Sequence, residues 1–173
     1  MSMAKRAPAP LDAVASLLRG GAIAMAYLGG AVVAALGLMS AVSIIGRSAL
    51  GQPIAGDFEL VEIGIAVAGS LFLPYCQAMR GHIVVDFFTL RAGQDAVRWL
   101  DRAGAFLMAA MMLAIGWRSV IAALDQFRSG EVSMVLGFPG WIGYAAAVPG
   151  VIMAGIVALA QGFGVAAEGT ATR

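Results

Sequence analysis

The sequence predicts an all-α integral membrane protein, with four transmembrane helices plus an amphipathic helix at the cytoplasmic interface. Three observations carry this reading. Of 173 residues, 61% are hydrophobic and only 12% charged, against roughly 25% charged in an average soluble domain. Mean hydropathy is +0.89. The 11 Lys/Arg and 10 Asp/Glu are also bunched, which leaves neutral intervals too long for a water-facing surface.

The spans follow in order along the chain. A hydrocarbon core about 30 Å thick requires about 20 apolar residues. No charge falls between Arg19 and Arg47, so the first span is 20–46. It follows Lys5, Arg6 and Arg19 as a secretory signal would, yet it far exceeds the roughly 7–15 apolar residues of such a signal. It reads as a retained signal-anchor. The second neutral interval, 63–79 between Glu62 and Arg80, covers only about 25 Å at a rise of 1.5 Å per residue. The helix is therefore extended to 58–79, which draws Glu62 to its outer start. The third interval, 103–117, is shorter still, and a span of 101–124 draws in Arg118. The fourth runs from 132 to 167, and Pro139 and Pro149 place its span at 139–163. These four spans form a single membrane domain, residues 20–165.

Two further segments read as lying on the membrane. Residues 11–19 place Leu11, Val14, Leu17 and Leu18 at helical spacing, within an N-terminal tail of residues 1–19 that opens with a Pro-containing stretch. Residues 82–99 mix Ile83, Val84, Phe87, Phe88 and Leu90 with Asp86, Arg91, Asp95 and Arg98, the pattern of an interfacial helix. Residues 166–173 form a C-terminal tail. Lys5, Arg6 and Arg19 in the tail and Arg80, Arg91, Arg98 and Arg102 in the middle loop outnumber the basic residues of the other two loops. The positive-inside rule then makes both termini cytoplasmic. The acidic loops, with Asp57, Glu59, Glu62, Asp125 and Glu131, face outward.

Composition excludes several functions. A net charge of +1 without a basic run argues against nucleic-acid binding. A single cysteine, Cys76, and a single histidine, His82, supply neither an intrachain disulfide, an iron–sulfur cluster, a bis-histidine haem nor the usual zinc ligand set. No cofactor is expected, and no GxxxxGK phosphate loop occurs.

Ionisable groups at membrane depth are costly and therefore suspects. Glu62 and Arg118 fall at similar depth, where they would form an ion pair or each meet a partner subunit. A role for Glu62 as a proton relay lacks a second polar group along the spans. Where helix two leaves the membrane, Arg80, Gly81, His82 and Asp86 form a compact block. His82 and Asp86 are four apart and stack on one helix face. With no nucleophile placed to complete a catalytic set, this is a corner clamp and not an active site. Gly30, Ala34, Gly37 and Ala41 in span one, and Gly150, Ala154 and Gly155 in span four, are small-residue stripes that allow close helix approach. Trp99, Trp117, Trp141 and Tyr144 read as boundary anchors.

These residues resemble the small membrane (Q) subunit of tripartite ATP-independent periplasmic (TRAP) transporters. The resemblance rests on the glutamate opening helix two (Glu62), on the Arg-Gly-His-Ile-x-Val-Asp block (Arg80, Gly81, His82, Ile83, Val85, Asp86), and on Leu136, Pro139, Trp141, Tyr144, Pro149 and Gly150 at the fourth span. It covers about residues 20–165. It implies a non-enzymatic subunit of a bacterial inner-membrane transporter. The partners implied are a separate large membrane subunit, which carries the substrate and sodium sites, and a periplasmic substrate-binding protein. The cargo implied is an organic acid. No catalytic, cofactor or metal residue carries over. Glu62, Arg80, Gly81, His82, Asp86, Arg118, Pro139, Trp141, Tyr144 and Pro149 remain as structural or partner-contact candidates. Two alternatives stay open on the residues alone. One is a self-sufficient, proton-coupled four-helix exporter using Glu62. The other is a redox-enzyme anchor, against which the single histidine counts.

Overall fold

A computed structural model describes residues 10–79 and 94–164. Four helices fill them: α1 (Pro10–Leu50), α2 (Asp57–Ala78), α3 (Gln94–Ser129) and α4 (Trp141–Gly162). Each is long and apolar enough to cross a membrane. The corner block (Arg80, Gly81, His82, Asp86), residues 82–93 of the expected interfacial helix and most of both tails lie outside the described residues.

The helices stand in a row in the order α1, α2, α4, α3, with α1 also touching α4, while α2 and α3 make no contact. Short connections make α1–α2 and α3–α4 antiparallel neighbours. The α2–α4 seam is parallel: Ile63 faces Gly143, Ser70 faces Gly150, and Gln77 meets Gln161 one turn further on. One end of the row carries the α1–α2 and α3–α4 loops, and the other carries the helix ends nearest the chain termini.

Small residues make this packing possible. In lipid, helices associate by van der Waals fit and interhelical hydrogen bonds, not by hydrophobic expulsion. The buried apolar residues are accordingly mostly alanines, among them Ala22, Ala68, Ala109, Ala154 and Ala158. The closest approach is at the centre of the α2–α4 seam. Pro74, fully buried, has no N–H to offer the carbonyl of Ser70 four residues earlier. Gly150 packs against that carbonyl, and a Cβ at position 150 would overlap it. The neighbouring helix thus covers the site where proline interrupts the ladder, the usual condition for proline within a membrane.

Of the two predicted small-residue stripes, the one on α4 lies inside, with Gly150, Ala154 and Gly155 all buried. The one on α1 does not. Ala34, Gly37 and Ala41 are exposed, and α1 meets α2 instead through Gly29, Leu36 and Ser43.

Several boundaries differ from expectation. Residues 11–19 are not a separate surface segment, because α1 runs unbroken from Pro10. Leu18 packs beside Ala22, Ala78 and Val157, which ties this extension to the ends of α2 and α4. Residues 94–99 belong to α3, not to an interfacial helix. Nothing between Gln94 and Arg102 breaks a helix, so the ladder continues through the charged stretch. Since α3 reaches Ser129, Trp117 sits well inside the span and not at its boundary. Pro139 precedes α4, pairing with Val132 in an isolated bridge.

Candidate functional site

At the loop end, three contacts lock the helix termini. Ser43 of α1, fully buried, donates its hydroxyl to Asp57 Oδ2 at 2.5 Å and accepts from the Ile54 amide at 3.3 Å. Arg47, in the last turn of α1, pairs with the same carboxylate at 3.7 Å. This is the one ion pair among the described residues. It joins the end of α1 to the start of α2.

The second contact organises the α3–α4 connection. Residues 131–140 fold as a small hairpin, with the Ser133 amide donating to the Phe138 carbonyl at 2.8 Å and the Gly140 amide to the Glu131 carbonyl at 3.1 Å. Ser133 Oγ also accepts from the Phe138 amide at 3.0 Å. The hairpin tip is held by α2, where the Glu59 carboxylate accepts from the Val135 amide at 2.8 Å and the Leu136 amide at 3.1 Å. The Leu136 side chain covers Gly56, whose φ of 76° and lack of a side chain both suit the site. Leu136 thereby gains a structural reason for its place in the fourth-span pattern.

The third contact joins α3 to α4. Phe127 and Trp141 meet edge-to-face with centroids 5.6 Å apart, so Trp141 is a packing residue as well as a boundary aromatic.

At the opposite end, two glutamines close the α2–α4 seam. Gln77 Nε2 donates to Gln161 Oε1 at 2.8 Å, and Gln161 Nε2 donates to the Gln77 carbonyl at 2.7 Å. Polar pairs of this kind are worth about 0.6–2 kcal/mol between membrane helices. Sequence reasoning passed over Gln77 and Gln161, as it did the roles of Ser43, Asp57 and Glu59. The available signal was an uncharged polar side chain inside an apolar span, less conspicuous than the charges of Glu62 and Arg118.

Glu62 and Arg118 are not brought together. They stand on α2 and α3, which do not touch, so the expected ion pair between them is absent. Both side chains are exposed, and neither makes a hydrogen bond or ion pair with a described residue. Glu62 lies on an open face of α2 with Phe58, Ile65 and Gly69. Arg118 lies in a groove of about 630 Å³ on α3, against which Tyr144 of α4 stands. A charged side chain at the centre of a span costs about 2.5–3.5 kcal/mol on insertion scales. Arg118 stands well inside α3 and Glu62 in the second turn of α2, both without a partner among the described residues. Pro149, inside α4, adjoins the Gly150 contact, though its own ring is exposed.

Among the described residues no group of three or more His, Cys, Asp or Glu is placed to hold a metal. Cys76 is free and exposed on α2. The arrangement offers clamps at both ends and open faces between them.

No curated protein and no solved structure matches the chain. The family model described as "Tripartite ATP-independent periplasmic transporters, DctQ component" matches residues 36–167. That match spans about three quarters of the sequence, from the second half of α1 past the end of α4. The chain therefore belongs to the DctQ family of tripartite transporter components.

Proposed function

We propose that this chain braces a separate large transport subunit in a bacterial inner membrane and helps dock a periplasmic substrate-binding protein, for sodium-coupled uptake of an organic acid. Membership of a transporter-component family supplies the membrane and transport parts of this reading. Its finer parts rest on the physics of the fold. The observation that carries it is the pair of unpartnered ionisable groups, Glu62 and Arg118, on open faces of helices that do not meet. A self-contained transporter would turn such groups inward toward a shared path. A scaffold turns them outward toward its partner.

In this reading the loop end faces the periplasm. There the Glu59-clamped hairpin presents Met134 and Val135 as a fixed, exposed surface for the binding protein. Arg80, Gly81, His82 and Asp86, which lie outside the described residues, are the contacts to the large subunit expected on the cytoplasmic side. Pro139, Trp141, Tyr144 and Pro149 position the fourth helix for the same assembly.

Uptake tests this directly. Cells would receive the chain alone, the chain with the large subunit, or both with the binding protein. They would then be offered radiolabelled C4-dicarboxylates, sialic acid and keto acids in sodium buffer. Uptake of one of these by the full set alone is the expected result. Transport by the chain on its own would establish the exporter instead.

A further inference from the structure

We propose that the Arg118 groove is the seat of one transmembrane helix of the large subunit, and that this helix presents a carboxylate to Arg118. The inference rests on the reading of the chain as a bracing subunit, and it adds the face, the form of the occupant and its chemistry.

Position is the first argument. Among the described helices α3 touches only α4, so it forms an edge of the row with its far side open. In the open groove that Tyr144 of α4 borders, Ala110, Ala114, Arg118 and Ala122 recur at every fourth residue of α3. Successive positions four apart form one ridge of a helix, and a ridge of alanines lets a second backbone approach closely. The stretch from Ala110 to Ala122 is about 18 Å long, room for more than three turns of a partner helix.

Charge decides the occupant. The Ser119 hydroxyl donates to the Ile115 carbonyl at 2.9 Å, so it is satisfied within its own helix. Arg118 has no partner among the described residues, and its guanidinium has donors only. The partner must therefore bring an acceptor, and a carboxylate matches the planar fork in two hydrogen bonds at once. Arg118 also lies 11 residues before Ser129, about 16 Å from the end of α3, deeper than a headgroup phosphate at the membrane surface. Depth and groove length together favour a helix over a lipid. The exposed Ala34, Gly37 and Ala41 face of α1 offers no such charge and is left to lipid.

Site-specific photocrosslinking tests the proposal in membranes containing the full chain and the large subunit. A benzophenone amino acid replaces Met111 on the groove wall, 55% exposed, or Leu38 on α1, 71% exposed. Both positions already carry large exposed side chains, so folding is preserved. The probe at 111 should capture the large subunit within one helical turn of an Asp or Glu, while the probe at 38 captures lipid. Arg118→Glu should lower capture at 111 by at least about tenfold, and Arg118→Lys should keep about half of it. Capture of phospholipid alone, or of a second copy of this chain, would overturn the inference while co-purification of the two subunits left the broader reading standing. Unchanged capture in Arg118→Glu would do the same. Failure of the unmodified subunits to co-purify at all would remove both.

Discussion

The α2–α4 seam and the outer face of α3 are built from the same material and end up in opposite states. Each is a line of small residues on an apolar helix. Along the seam, Gly150 and Ala154 are buried, with Gly150 seated on the Ser70 carbonyl. Along α3, Ala110 and Ala114 are exposed and Ala122 half-buried, beside an Arg118 with no partner among the described residues. The difference teaches that small-residue spacing marks where a helix can be approached, not by whom. The chain itself supplies the partner in one case and lacks it in the other.

Four substitutions should separate the two surfaces, in falling order of effect. Gly150→Leu forces a side chain into the Ser70 carbonyl and should cost about 3 kcal/mol or more. Unfolding in mixed micelles would register this as loss of most of the cooperative transition. Glu59→Ala leaves the Val135 and Leu136 amides without their side-chain acceptor, and the loosening should be confined to the hairpin. Hydrogen exchange should quicken at those two amides far more than along α4. Gln77→Leu removes the donor to Gln161 Oε1 while leaving the Gln77 carbonyl to accept from Gln161 Nε2, and should cost about 1 kcal/mol by the same unfolding assay. Ala114→Leu, a small-to-large change like the first, should move the isolated chain by less than about 0.5 kcal/mol, because it meets no neighbour. In the assembled transporter it should reduce recovery of the large subunit. Equal destabilisation by Ala114→Leu and Gly150→Leu in the isolated chain would erase the distinction between seam and open face.

Much of the fold was legible in the sequence. The charge-free intervals place all four spans, because the cost of burying a charge in hydrocarbon is a local property of each segment. Helix ends were harder. Residues 11–19 and 94–99 read as surface pieces by composition, yet nothing in them breaks a helix, and backbone continuity prevailed. Neighbour order was not legible. Glu62 and Arg118 were expected at one depth, yet Gly116 packs on Ile152 and Gly150 on Ser70, which sets Arg118 about two turns deeper than Glu62, and α4 takes the place beside α2 through Gly150 and Gln161. The loop clamp escaped for a related reason. Glu59 and the amides of Val135 and Leu136 are far apart in sequence, and backbone amides leave no mark in composition.

The central claim is that this chain is one component of an assembly and that its exposed charges are assembly contacts. Purification from its native membrane in a mild detergent tests that most directly. The account predicts co-elution with a larger multi-span polypeptide in fixed stoichiometry, reduced when Arg118 is replaced by Glu. Elution of the intact, folded chain alone or only with copies of itself would contradict it.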